Sequence, residues 1–364
     1  MDIIYRDLPN PDNFLLPSGI DDPSEVLFID VETTGFSARI SKLYLIGCAF
    51  YSEGHWRSAQ FFADRYSDEE EILKEFIDFS KPFKYLIHFN GSTFDIPYLT
   101  AKFREYHISF NFERFTGFDI YKQVSKLKSF LLLEDCKQKS VEKFLRLSRD
   151  DKYSGGELVD IYKQYALDGD PQKKELLLLH NYEDVLGMPK ITPILAYSDL
   201  FNELPTVNKV YENCVPDSEG GLINEVIIEF TPHTEVPVPV SSHKDGLYIT
   251  VNEDRGLLKV PIYQGGLKYF FANHEDYYYL PAEDMAIHKS VASFVDKGFR
   301  QQAKASNCYT KKESSFLPQW DELTSPIFKP DHKSKDLYFE LTDEIKNDRD
   351  FFARYTKHLI NRFL

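Results

Sequence analysis

The stretch from Leu27 to Phe36 reads LFIDVETTGF, and its alternation decides the fold. Successive side chains on a strand point to opposite faces, so Asp30 and Glu32 share one face while Leu27, Ile29 and Val31 share the other. Two carboxylates therefore lie side by side among apolar neighbours. Like charges raise one another's pKa and destabilise a fold unless positive charge compensates them, and a divalent cation is the usual means. The alternative is an edge strand with solvated acids, and the apolar flanks argue against it.

Outward from this stretch, apolar patterning predicts strands at 26–31, 43–51, 56–63 and 84–89, a helix at 68–79, and mainly helices up to about residue 200. This is an α/β pattern. Ser67 with Glu70 and Ser154 with Glu157 fit capping boxes, and Asp170-Pro171 fits an N-cap followed by proline at the first helical position. After NELPTVN the chain changes to short β-rich runs such as EVIIEF, GLYITV and LKYFFA, which predict a small antiparallel sheet. A helical segment is expected from Glu283, then a loop with Pro318, Pro326 and Pro330, then an amphipathic helix over 342–364. The organisation that follows is an N-terminal arm (1–23), an α/β domain (24–204) and a smaller β-rich plus helical C-terminal region (205–364).

The 364 residues carry a net charge of −15, which argues against broad electrostatic attraction to nucleic acid but leaves room for a local one. One strip differs from the rest. Between Lys289 and Lys312, Lys289, Lys297, Arg300, Lys304, Lys311 and Lys312 face only Asp296 in acid. No apolar run is long enough to span a bilayer, and the acidic N-terminus is unlike a signal peptide, so a cytoplasmic protein with no membrane partner is expected. The four cysteines lack metal or disulfide-framework spacing and are read as reduced thiols.

A metal-binding carboxylate pair needs further acids from elsewhere. In LIHFNGSTFDIPYL, a turn at Asn90-Gly91 follows an apolar strand, Ser92 or Thr93 can cap a new helix, and Asp95 falls in its first turn. In LLLLHNYEDVLGMPK, His180 and Asp184 are four apart and project from one helix face, a spacing that can serve one metal–water centre. Taken singly, the first can be a dipole-stabilising acid and the second a surface hydrogen bond.

Together, D-x-E-T-T-G on a first strand, an Asp after FNG opening a helix, and H-x-x-x-D on a late helix resemble the DEDD 3′–5′ exonucleases of the ribonuclease-H-like superfamily. The resemblance covers residues 24–200 and is closest to bacterial predicted exonucleases whose last motif reads Y-N-x-x-D-V. Here His180 stands at the tyrosine position. The resemblance implies a ribonuclease-H-like mixed sheet flanked by helices and hydrolysis of phosphodiesters in DNA or RNA. It also implies two Mg²⁺ or Mn²⁺ ions, held by Asp30, Glu32, Asp95 and Asp184, with His180 orienting the nucleophile. Asp119 sits where relatives often carry another acid, and a structural role is its alternative. Nucleic acid, as a single strand or 3′ end, is the partner implied. Thr33 and Asn90 beside the motifs, and Lys297, Arg300, Lys304 and Lys311 in the basic strip, are the candidate contacts. Phe299, Tyr309 or Tyr277–Tyr279 could stack bases, with sheet packing the alternative for the tyrosine run. Two other functions fit the same residues: a nucleic-acid-binding protein of the same fold with little or no turnover, and a structure-selective endonuclease.

Overall fold

A computed structural model describes residues 1–149, 153, 155–216 and 221–364. They form two compact units, residues 1–198 with 236–238, and residues 199–235 with 239–364.

The first unit is built on a six-stranded mixed sheet. Its strands are β1 (Asp2–Asp7), β2 (Val26–Thr33), β3 (Leu43–Ser52), β4 (His55–Phe62), β5 (Tyr85–His88) and β6 (Thr116–Asp119), in the order β1-β4-β3-β2-β5-β6. The pairs from β1 to β2 are antiparallel, and β5 and β6 continue the sheet parallel to β2. Its helices are α1 (Glu69–Ser80), α2 (Asp95–Glu105), α3 (Ile120–Leu127), α4 (Gln138–Phe144), α5 (Gly155–Asp168), α6 (Pro171–Ile191) and the first residues of α7 (Leu195–Asn202). Residues 2–7, expected in an arm, are instead an edge strand in register with β4 from Asp2 opposite Phe62 to Asp7 opposite Arg57. DIIYRD has too little alternation to announce a strand, and pairing supplies what pattern lacks.

The period-two reading of β2 fixes both faces of the sheet. Leu27, Ile29 and Val31 stand opposite Phe50, Cys48 and Ile46, and this wholly apolar face packs on α1, where Phe76 and Phe79 meet Phe61 at 6.5 and 5.4 Å between ring centroids. The other face carries a row of three residues on adjacent strands: Asp30 on β2, Gly47 on β3 and Gln60 on β4. Helix α6 lies over that row and inserts Asn181 into it. Asn181 is fully buried, donates to Asp30 Oδ2 at 2.9 Å, and accepts at Oδ1 from Gln60 Nε2 at 3.0 Å. The start of α6 is as its sequence predicts, with Asp170 accepting from the Gln172 amide at 2.9 Å and Pro171 at the first position. The other two predicted caps differ. Ser67 gives way to a 3₁₀ turn at Tyr66–Asp68 that leads into α1, and Ser154 lies outside the described residues.

The second unit is β-rich. Strands β7 (Thr206–Pro216), β8 (Leu222–Thr231), β9 (Val236–Lys244), β10 (Leu247–Glu253) and β11 (Arg255–Pro261) form an antiparallel sheet in the order β7-β8-β11-β10-β9. Next come β12 (Tyr263–Phe270), β13 (Tyr277–Leu280), β14 (Met285–His288), the one-turn helix α8 (Lys289–Ala292), β15 (Gln301–Gln302), β16 (Tyr309–Gln319), β17 (Phe328–Lys329) and β18 (Leu337–Glu340). Strands β12, β16, β18 and β17 close a small barrel, and β14-β13-β15 form a separate sheet. The helical segment expected from Glu283 thus keeps only the short α8 and a 3₁₀ turn at Lys297–Phe299, among the strands β14, β15 and β16. YTKKESS has the polarity of a solvated helix, but its backbone pairs with β12, and tertiary pairing overrides local propensity. The expected C-terminal helix is two, α9 (Asp343–Asn347) and α10 (Arg349–Ile360), broken where Asp348 turns extended and caps α10 by accepting from the Phe351 amide at 2.8 Å. No helix among the described residues is long and apolar enough to cross a membrane.

The seat of α6 depends on a missing side chain. A Cβ at position 47 would stand 2.0 Å from Asn181 Oδ1, so the asparagine would have to leave the row or the helix would have to lift. Gly47→Ala is expected to lower unfolding free energy in urea by about 1–3 kcal/mol. An unchanged midpoint would show that α6 does not depend on this contact.

Candidate active site

Seating Asn181 sets the residues around it on the same helix. His180 is buried, and its Nε2 lies 3.4 Å from Glu32 Oε1 on β2 and 3.2 Å from Asp184 Oδ2 one turn along α6. One ligand atom from each of Glu32, His180 and Asp184 falls within 4.8 Å of the other two, close enough to share an ion. Tyr44 Oη reaches Glu32 Oε2 at a long 3.5 Å.

Asp95 arrives from the other side. Strand β5 pairs with β2 only as far as Ile87 opposite Phe28, which leaves the Val31 amide beyond the end of the pairing. The chain leaves β5 through Asn90, at φ +64°, and opens α2 at Asp95, whose Oδ1 accepts from Val31 N at 3.1 Å. The predicted cap at Ser92 or Thr93 is absent, because the Thr93 hydroxyl bonds back to Asn90 O and Oδ1 at 2.9 and 2.8 Å.

The electrostatics follow from this crowding. Burial, then Asp184, Glu32 and Asp95 in turn, push the Asp30 carboxyl well above the usual carboxylate range, against the pull of Asn181. Burial likewise pushes Asp95 up to about 7, opposed by its backbone hydrogen bonds and reinforced by Asp119 and Asp184. Oxygen donors of this kind suit a hard divalent cation such as Mg²⁺ or Mn²⁺, and the imidazole at Glu32 and Asp184 adds a nitrogen donor that suits softer ions. The residues present therefore fit a divalent ion.

Asp119 takes the structural alternative. It caps α3 by accepting from the Tyr121 amide at 3.1 Å, accepts from the amides of Asn90 and Ser92 at 2.8 and 3.4 Å, and faces buried His88 at 3.7 Å. The remaining candidates divide. The Thr33 hydroxyl is turned to Gly35 O at 2.9 Å. In the second unit, Arg300 donates to Ala292 O and lies 4.9 Å over the Tyr278 ring, and Lys311 pairs with Asp284. Lys297 and Lys304 are exposed, as is Phe299, whereas Tyr309 is buried and is not a surface for stacking.

Three residues at the site escaped the sequence reading. Asn181, inside the late motif, joins α6 to Asp30. Phe36, 95% exposed in the loop after β2, meets Phe94 edge-on at 6.2 Å beside Asp95; an aromatic residue after a D-x-E motif was its only signal. Arg149 follows α4 and donates from Nη2 to Asp184 Oδ1 at 2.6 Å, and no local pattern announced it. Burial works against its charge, but Asp184 and Glu142 hold the guanidinium in the charged form.

Residues 27–196 match the family model described as RNase_H superfamily. The fold of this segment is ribonuclease-H-like. Among solved structures, a family B DNA polymerase from the archaeon Pyrobaculum calidifontis is similar at 14% identity and a TM-score of 0.40, over 69% of this chain and 35% of that one. Exonuclease I in complex with the inhibitor BCBP is similar at 10% identity and 0.28, over 58% and 56%. The zinc-bound complex of E. coli exonuclease I with single-stranded DNA gives 11% and 0.29, over 58% and 55%. The chain thus spans less than two thirds of each of these proteins. No curated protein matched the sequence.

Because the folded-state pKa of Asp95 is raised, the stability it contributes is present in acid and lost as pH rises through about 7. Asp30 is shifted the same way. A divalent cation needs both groups ionised. The rise in Tm on adding Mn²⁺ is therefore expected to be larger at pH 8 than at pH 6, and to be small in Asp30→Asn. Equal rises at both pH values, measured by calorimetry, would show that these carboxyls do not meet the ion.

Proposed function

We propose that this ribonuclease-H-like protein is a metal-dependent nuclease, acting as a 3′–5′ exonuclease on DNA or RNA. The observation that supports this is the convergence of Glu32, Asp95 and Asp184 on half-buried Asp30, which adds to desolvation in raising its carboxyl and leaves a negative site to be neutralised. In this reading Asp30, Glu32, Asp95 and Asp184 hold the cations. Bound there, the cations would supply Lewis acidity for an attacking water and for the leaving 3′-oxygen. Asn181 holds the Asp30 carboxylate in one orientation. His180 presents Nε2 between Glu32 and Asp184, where it holds the attacking water and takes its proton. Exposed Phe36 offers a ring face to the terminal base.

End-labelled single- and double-stranded DNA and RNA, each with free or blocked 3′ ends, test the reaction and its polarity together. The expected result is shortening from free 3′ ends in Mg²⁺ or Mn²⁺, lost in chelator and in folded Asp30→Asn and Asp184→Asn proteins. Cleavage of 3′-blocked substrates would point to an endonuclease. Tight binding without cleavage would point to a binding protein on the same fold, and full activity in chelator would remove the metal from the mechanism.

His180 is tested separately. His180→Ala is expected to slow single-turnover cleavage under saturating Mn²⁺ by roughly 10²–10⁴-fold, the range for a general base. His180→Tyr is expected to recover part of that loss, because a phenol at the same helix position can still orient water. An alanine variant that cleaves at the wild-type rate but melts earlier would make His180 structural.

A further inference from the structure

Arg149 stands where a cation would have to compete with it. Its Nη2 donates to Asp184 Oδ1 at 2.6 Å, its Nη1 reaches both oxygens of Glu142 at 3.3 Å, and its Nε lies 3.6 Å from Glu183 Oε2. The guanidinium is largely buried, with 12% of the side chain exposed. Its approach is built by the chain. Helix α4 ends with Arg146 at φ +61°, the Arg146 amide donating to Lys143 O and the Leu147 amide to Glu142 O, a reversal that turns the backbone back over Glu142.

Glu142 is itself fixed in place. Gln138 Nε2 donates to Glu142 Oε1 and to the Asp184 carbonyl, both at 2.9 Å. Helix α6 can come this close because position 187 is glycine, where a Cβ would lie 2.4 Å from Glu142 Oε1. Arg149 thus has two kinds of anchor. Asp184 belongs to the carboxylate cluster around Asp30. Glu142 is held by α4 and Gln138.

We infer that Arg149 is a built-in competitor for the catalytic cation: it neutralises Asp184 when no cation is bound, and Glu142 retains it beside the site when Asp184 turns to the ion. This rests on the metal-dependent reading above and adds a residue that sets how tightly the ion is held. Arg149 is a positioning residue in this scheme, acting through Asp184.

The test is Mn²⁺ binding to the full chain without nucleic acid, followed by calorimetric titration and by the electron paramagnetic resonance signal of free Mn²⁺. Removing a charge-assisted hydrogen bond that competes for a ligand is expected to tighten Mn²⁺ binding by roughly 10- to 100-fold in Arg149→Gln, while the cation-free variant melts earlier. Glu142→Gln, which removes the anchor that draws Arg149 away from Asp184, is expected to weaken binding. The double variant is expected to bind like Arg149→Gln, because Glu142 acts through the arginine. Unchanged or weaker binding in Arg149→Gln would overturn the inference while leaving the metal site intact. So would a Glu142 effect that persists without the arginine. Should neither wild type nor Arg149→Gln bind Mn²⁺, the metal reading itself falls, and the inference with it.

Discussion

The hydrogen bond from Asn181 to Asp30, made across Gly47, is the constraint on which the site depends. A 21-residue helix rich in leucine can lie on a sheet in several rotations, because its apolar residues cover most of its circumference. A buried amide has far fewer choices. Asn181 must find partners for its donors and its carbonyl, and Asp30 with Gln60 meets that need in one register. With Asn181 fixed, His180 and Asp184 follow from helix geometry and come to Glu32. The residue that orients the site is therefore neither a charge nor a nucleophile, and the residue that admits it is a glycine two strands from Gln60's edge neighbour β1.

What is assembled there is electrostatically expensive. Carboxylates around a half-buried Asp30 can be relieved by protons, by basic side chains or by a cation, and the surroundings favour the first and supply the second. Desolvation and crowding favour the protonated form of Asp30 and Asp95, and the Arg149 guanidinium lies on Asp184. These forms of compensation exclude one another on a given oxygen. Affinity for a cation is then the difference between its attraction to the acids and what the proton and the guanidinium already supply. A chain of net charge −15 can approach a polyanion at such a site only where the acids are neutralised.

How much of this was legible follows from the range of the interactions. Local period puts Asp30 with Glu32 on one strand face and His180 with Asp184 on one helix face, as LFIDVETTGF and LLLLHNYED show, whereas bringing Asp95 to them rested on the resemblance. The α/β order of strands and helices was legible for the same reason, and the mixed sheet with flanking helices came from the resemblance. Long-range contacts were not legible. Arg149 reaches Asp184 across 35 residues by a turn with a left-handed arginine, a conformation that arginine does not advertise. The edge strand 2–7 and the long strand β16 exist because partners wait for them, and the basic strip was shortened by partners such as Asp284 and Tyr278 that only the folded chain brings near.

Asp95 and Asp119 show why residue type alone could not assign their roles. Asp119 ends the parallel strand β6 and Asp95 follows the end of β5, where the chain leaves the sheet and unpaired amides need acceptors. Asp95 meets one such amide, Val31, across the strand end, and that contact leads its carboxyl toward Asp30. Asp119 is drawn the opposite way. Its Oδ1 accepts from Asn90 and Tyr121 and its Oδ2 from Ser92, so both oxygens are committed to closing the turn after β5 and starting α3. Removing the Asp119 carboxylate would leave the amides of Asn90, Ser92 and Tyr121 without this acceptor and loosen the turn that delivers Asp95. The acid that closes the turn is thus distinct from the acid that faces the site, and the turn that the first closes leads the chain to the second.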